Sequence, residues 1–153
     1  MILEQNQIDE LKKIVEISLN NLYQNDLEII NRGGMEQAVS FRFGTYLLAQ
    51  CQQIDWLRDY DFDMEYNKNG NSPKRTPRRP KGTRPDLIIH TRNSNLSNIL
   101  IVEIKGWWNL EDRKIDRIKL EDFTNQQGEY SYGLGVFLDL YNNGCEPHYI
   151  KDY

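Results

Sequence analysis

The sequence predicts an α/β fold: a single domain with a central mixed β-sheet flanked by helices. Three observations predict it. The runs around Leu87-Ile88-Ile89 and Ile99-Leu100-Ile101-Val102 are apolar almost without interruption, which marks strands buried on both faces. Stretches before and after them carry apolar residues at three- and four-residue intervals, the spacing of amphipathic helices. The 153 residues, 39% hydrophobic and 27% charged, suit one hydrophobic core, so residues 1–153 are read as one domain.

In chain order, residues 3–30 read as a helix through Leu11, Ile14, Val15, Leu19 and Leu22, stopped by Arg32-Gly33-Gly34. A second helix over 35–53 buries Val39, Phe43, Tyr46 and Leu47. Residues 61–67 (Asp-Phe-Asp-Met-Glu-Tyr-Asn) alternate polar with apolar, as a half-buried strand does. From 67 to 84 the chain reads as a flexible basic loop, Pro73, Pro77 and Pro80 excluding regular structure. Strands follow over 86–91 and 98–105, joined by the polar turn Arg92-Asn-Ser-Asn-Leu-Ser97 as an antiparallel hairpin. Residues 110–124 form a charged helix with Ile115, Ile118, Leu120 and Phe123 on its apolar stripe; strands at 134–140 and 147–151 complete the order α-α-β-β-β-α-β-β.

Several classes are excluded by composition. No apolar run approaches the roughly 20 residues of a membrane helix, and Met1-Ile2-Leu3-Glu4-Gln5 lacks the basic-then-apolar pattern of a secretory signal. Cys51 and Cys145 are too few for a disulfide framework, so reduced thiols and a cytoplasmic location are expected. The net charge of -4 hides an asymmetry: residues 67–84 carry +7 against -11 elsewhere. Such a block attracts phosphate even on an acidic protein, because screening confines distant charges to about 10 Å. It reads equally as a solvated loop.

The chemistry concentrates between Gly82 and Gly106. Side chains alternate along a strand, so Glu103 and Lys105 share a face, and a hairpin brings Asp86 beside Glu103. Two adjacent carboxylates repel unless a cation lies between them or one is protonated. Such hard oxygen ligands suit Mg²⁺, with Mn²⁺ able to substitute, and the main-chain carbonyl of Ile104 is a third candidate ligand. Lys105 would orient a water or stabilise charge on a phosphate. The bland alternative is a salt bridge at a sheet edge, with Asp86 a turn residue; burial of ionisable groups in apolar strands weighs against it.

Arg84-Pro85-Asp86 followed after sixteen residues by Glu103-Ile104-Lys105 resembles the PD-(D/E)xK motif of the restriction-endonuclease-like nuclease superfamily. Together with Met64-Glu65-Tyr66-Asn67 and Lys119-Leu120, it looks like a group of small prokaryotic members of that superfamily. The resemblance implies an α-β-β-β-α-β core and a Mg²⁺-dependent phosphodiesterase acting on DNA ahead of RNA. It makes Asp86, Glu103, Lys105 and Glu36 the catalytic set, with Asp86, Glu103, Ile104 and Glu36 as cation ligands. Lys74, Arg75, Arg78, Arg79, Lys81 and Arg84 are the candidate nucleic-acid contacts. A one-site domain cutting both strands would work as a homodimer. The rival class is a non-catalytic module of the same fold that binds nucleic acid or a protein, and a subunit that needs a protein partner is a third.

Weaker features have structural readings ahead of functional ones. Lys119 reads as part of a solvated helix face rather than a phosphate contact, and Glu65 as solvent-facing rather than turned to the cleft. His90 shares a face with Asp86 but reads as structural, and His148 has no identifiable partner. The Gln126 and Tyr130 spacing is interrupted by Gly128, and Trp107-Trp108 reads as packing rather than a base-stacking platform.

Overall fold

Alternation along the central strands deals the apolar residues of this chain to two faces, and a helical layer covers each. The structure, a computed structural model, describes residues 1–152. Its helices are α1 (Gln5–Asn25), α2 (Leu27–Arg32), α3 (Glu36–Cys51) and α4 (Lys114–Thr124). Its strands are β1 (Asp61–Met64), β2 (Lys68–Asn69), β3 (Ser72–Pro73), β4 (Leu87–His90), β5 (Leu100–Gly106), β6 (Leu134–Leu140) and β7 (His148–Ile150). The main sheet runs β1-β4-β5-β6-β7, with only β5 and β6 parallel. The parallel pair is joined through α4, the crossover that parallel strands require.

Leu87, Ile89, Leu100, Val102, Ile104, Val136 and Leu138 face α1 and α3, whose Leu11, Val15, Phe43 and Leu47 complete the larger core. The intervening Ile88, Ile101 and Phe137 pack with Leu120 and Phe123 of α4. This is the α/β architecture that the sequence predicts.

Element ends differ from expectation for local reasons. The long first helix breaks at Asp26, whose carboxylate accepts from Arg42 (2.9 Å) and Tyr46 (2.5 Å) on α3. β1 stops at Met64 because Glu65 takes a left-handed φ of 52°, a conformation that ends strand pairing. The helix expected from 110 starts at Lys114; before it, the Arg113 guanidinium donates to the carbonyls of Gly106, Asn109 and Glu111 and pins a tight loop. In that loop Trp107 donates its indole N–H to the Ile30 carbonyl (2.9 Å), and Trp108 packs on the larger core. A Cβ on Gly106 would run into the Trp108 ring, and Gly33 has a φ of 73° under both tryptophans. Trp108 therefore packs, as expected, whereas Trp107 is 38% exposed with its indole N–H tied to Ile30.

The 67–84 segment holds regular structure that its prolines are expected to exclude. β2 and β3 form a small antiparallel hairpin, with Pro73 inside it on a position that tolerates a missing N–H. Lys74 exchanges main-chain bonds with Asn67 and Thr83, and Thr76 donates to Asp122 of α4 (2.6 Å). No helix among the described residues is long and apolar enough to cross a membrane. Both cysteines are free, and burial pushes each thiol up to about 12.

Candidate active site at the end of the central strands

Continuing the β4–β5 register beyond Leu87↔Val102 would set Pro85 opposite Ile104. Proline has no N–H, so the ladder cannot continue there and the strands part. Asp86 fills the gap: its Oδ2 accepts the Ile104 N–H at 2.7 Å. A strand residue directs its N–H and C=O to the same flank, so the Ile104 carbonyl also faces this corner, with no ladder donor opposite. Pro85-Asp86 thus opens the sheet at the point where Glu103 lies.

Glu103, Lys105 and Asp86 share the face covered by α4. Glu103 is 2% exposed; Oε2 accepts from Lys119 Nζ at 2.6 Å, whereas Oε1 is buried with no hydrogen-bond partner among the described residues. Burial holds the Glu103 carboxyl well above the ordinary glutamate range; Lys119 opposes this, and neighbouring Asp86 and Asp116 add to it. Burial likewise raises Asp86 to about 6, with the Ile104 N–H and Lys119 opposing and Glu36 and Asp116 reinforcing the shift. Carboxylates crowded in this way favour a proton or a cation between them.

Lys105 lies 2.9 Å from Glu111 Oε2 and 2.8 Å from Asp116 Oδ2. Burial disfavours its charge, but these two carboxylates outweigh that and hold the ammonium above the ordinary lysine range. Glu36, in the first turn of α3, accepts from the Gly106 N–H (3.3 Å) and Asn109 Nδ2 (3.1 Å). With Gln37, Ser40, Met64, Glu65, Arg84 and Asp86 it lines a cleft of about 400 Å³ at this end of the sheet. Glu65 lines the cleft, accepting from Gln37 (3.3 Å) and pairing with Arg84 (3.3 Å), while its side chain stays 38% exposed.

Lys119 is not the solvated residue expected. It is buried, and bonds the Arg84 carbonyl (2.8 Å) as well as Glu103. The buried stripe of α4 runs through Asp116, Lys119, Leu120 and Phe123, with Thr124 buried beside it, while Ile115 is 37% exposed. Ranking by hydrophobicity sets the helix one position out of phase and hides Asp116. The i, i+3, i+4, i+7 spacing of these four residues is the signal that could have found it.

The candidate phosphate contacts separate. Lys74 is 2% exposed between the rings of Tyr66 and Tyr130, 5.6 and 4.9 Å from their centres, and burial lowers it to about 8. It cannot reach a phosphate in this position. Arg78 is held by Asp122 (2.5 Å) and Glu121 (3.1 Å), and Arg79 donates to the Ile115 carbonyl (3.4 Å). Arg75 and Lys81 are exposed, and Arg84 alone of the six lines the cleft. His90 sits 2.9 Å from Asp63, four residues along the strand from Asp86; burial lowers it against the pull of that carboxylate, and it serves structure. Gln126 lies beyond α4, donating to the Thr124 and Tyr132 carbonyls, so the Gln126–Tyr130 spacing belongs to a turn.

The residues fit a hard divalent cation. Glu103 Oε1 is a buried carboxylate oxygen without a partner, beside Asp86 and the flank of the Ile104 carbonyl. No three or more of His, Cys, Asp and Glu among the described residues form a ready cation cage. Mg²⁺ does not require one, because it keeps waters and is held through one or two carboxylates plus substrate phosphates. No family model matches the chain, and no curated protein or solved structure matches it either.

Proposed function

We propose that this chain is a Mg²⁺-dependent nuclease of the PD-(D/E)xK type, hydrolysing phosphodiester bonds in DNA ahead of RNA. The observation that carries the reading is the partnerless Glu103 oxygen, buried in one cluster of carboxylates with Asp86, which itself lines the cleft with Glu36. Asp86 and Glu103 would hold the cation, with the Ile104 carbonyl completing the protein ligands and Glu36 on the far wall. Bound there, the cation would acidify a water and neutralise charge on the scissile phosphate.

The side chains divide the remaining work. Asp86 spans the parted strands through the Ile104 N–H, fixing its own carboxylate relative to Glu103. Lys105, kept charged by Glu111 and Asp116, supplies the ammonium that orients a water or meets developing negative charge. Arg84 on the cleft wall binds a flanking phosphate and positions the chain without reading sequence.

The test is incubation of purified protein with supercoiled plasmid, linear duplex, single strands and RNA, in Mg²⁺, Mn²⁺ or EDTA. Cleavage should need the metal and disappear in Asp86→Ala and Lys105→Ala proteins with wild-type circular dichroism. Wild-type activity in either mutant would reject the assignment. A second reading, a non-catalytic binding module, is favoured by one observation: both lysines are already neutralised by carboxylates. It predicts nucleic-acid or protein binding without cleavage and without Mn²⁺ uptake.

A further inference from the structure

The site contains a second amine that the motif does not name. Lys119 Nζ sits 2.6 Å from Glu103 Oε2 and 2.8 Å from the Arg84 carbonyl, so it joins β5 to the main chain two residues before Asp86. These are the two segments that the Pro85 break separates. The pair is buried on both sides, Lys119 at 9% and Glu103 at 2% exposure, so neither end exchanges freely with water. Two of the three ammonium donors are committed to these oxygens, which orients the ammonium. Lys105 is engaged elsewhere, by Glu111 and Asp116.

We propose that Lys119 is a positioning residue: by holding Glu103 Oε2 and the chain entering Asp86, it presents Glu103 Oε1 and the Asp86 carboxylate together to a divalent cation. This rests on the cation-site reading above. The helix that closes the face thereby sets which oxygen of the motif glutamate is available. An ammonium placed only as a counter-ion would make a different prediction. By Coulomb's law alone, deleting a positive charge beside two carboxylates tightens the binding of a dication. Loss of alignment weakens it. Deleting the charge also raises both carboxylates and lets protons compete with the metal. The roles are therefore separated by comparing Lys119→Met with Lys119→Gln, which lose the charge alike while only the amide keeps a donor.

The experiment is Mn²⁺ titration by calorimetry on wild type, Lys119→Met and Lys119→Gln, well below each melting temperature, with folding checked by circular dichroism. Positioning predicts at least a tenfold weaker Kd in Lys119→Met. It predicts partial recovery in Lys119→Gln, whose amide still donates to one of the two oxygens. Unchanged or tighter Mn²⁺ binding in folded Lys119→Met overturns the proposal and leaves the cation site standing. Equal Kd in Lys119→Met and Lys119→Gln also overturns it; if Lys119→Met does not fold, Lys119→Leu takes its place in the same comparison. Absence of Mn²⁺ uptake by wild type would overturn the cation-site reading itself, and this proposal with it.

Discussion

The two faces of the central sheet are made from alternate residues of the same strands, yet they hold opposite kinds of interior. Toward α1 and α3 every central position is aliphatic, from Leu87 and Ile89 through Leu100, Val102 and Ile104 to Leu138. Toward α4 the apolar residues Ile88, Ile101 and Phe137 share the layer with Asp86, Glu103, Lys105, Asp116 and Lys119. A fully apolar layer gains from burial alone, whereas each buried charge loses hydration and regains it only through partners. The comparison teaches that stability resides on one face and electrostatic tension on the other. One strand can serve both because its side chains alternate.

The largest effect is expected from breaking the stable face. Phe43→Ala, fully buried on α3, should cost about 3–5 kcal/mol in denaturant unfolding. Mn²⁺ affinity of the remaining folded protein should stay unchanged. Coupled loss of affinity would mean that the faces are not separable.

Asp86→Asn should sharpen the contrast in the opposite direction. Asp86 is raised to about 6 in the folded protein, so its proton is held more tightly than in the unfolded chain. Its contribution to stability is present below the unfolded value near 3.8 and is lost as the pH rises through about 6. Asparagine keeps an acceptor for the Ile104 N–H and removes this loss, a gain of up to about 3 kcal/mol at pH 7.5 that fades by pH 4. Mn²⁺ uptake should vanish in the same protein. Equal stability of mutant and wild type at both pH values would show that the carboxylate is not strained.

Metal should relieve that tension in wild type. Mn²⁺ at about one hundred times its Kd should stabilise the protein by about 2.7 kcal/mol, reversed by EDTA. Its Kd should weaken as the pH falls below about 6, where Asp86 takes up its proton. A Kd independent of pH between 5 and 7 would remove Asp86 from the ligand set.

The smallest effects belong to the basic segment. Arg78→Ala removes a surface ion pair with Asp122 and Glu121, worth about 1 kcal/mol or less in thermal unfolding. Arg78 is engaged within the chain, so the salt dependence of nucleic-acid binding should hardly change. Arg84→Ala should instead lower the slope of log K against log salt by about 1. A larger change from Arg78→Ala would return that residue to the phosphate-binding set.

Much of the fold is legible in the residues alone. Apolar runs announce the central strands, and the polar turn at 92–97 announces their antiparallel pairing. Pro85-Asp86 and Glu103-Ile104-Lys105 are legible as a pair because the strands that carry them are adjacent in sequence. What stays hidden is the burial of charge. Lys119 and Lys74 read as solvated and Asp116 draws no notice, because a charged side chain reads as exposed until its partner is known. Those partners lie far away in the chain: Lys119 meets Glu103 and Arg84, and Lys74 meets Tyr130. The order within 67–84 is hidden for the same reason, since Asp122 and Tyr130 tie it down from beyond β5.

By itself, then, the sequence determined the main helices and central strands, the layering of helices on a mixed sheet, and the pairing of the segments that carry Asp86 and Glu103. These follow from local periodicity and from neighbours along the chain, which an unfolded segment already carries. Only the tertiary structure decided which face of α4 turns inward, which lysine meets which carboxylate, and which Glu103 oxygen is left without a partner. Those outcomes depend on desolvation and charge pairing between distant segments, and neither exists until the sheet and α4 have closed on each other.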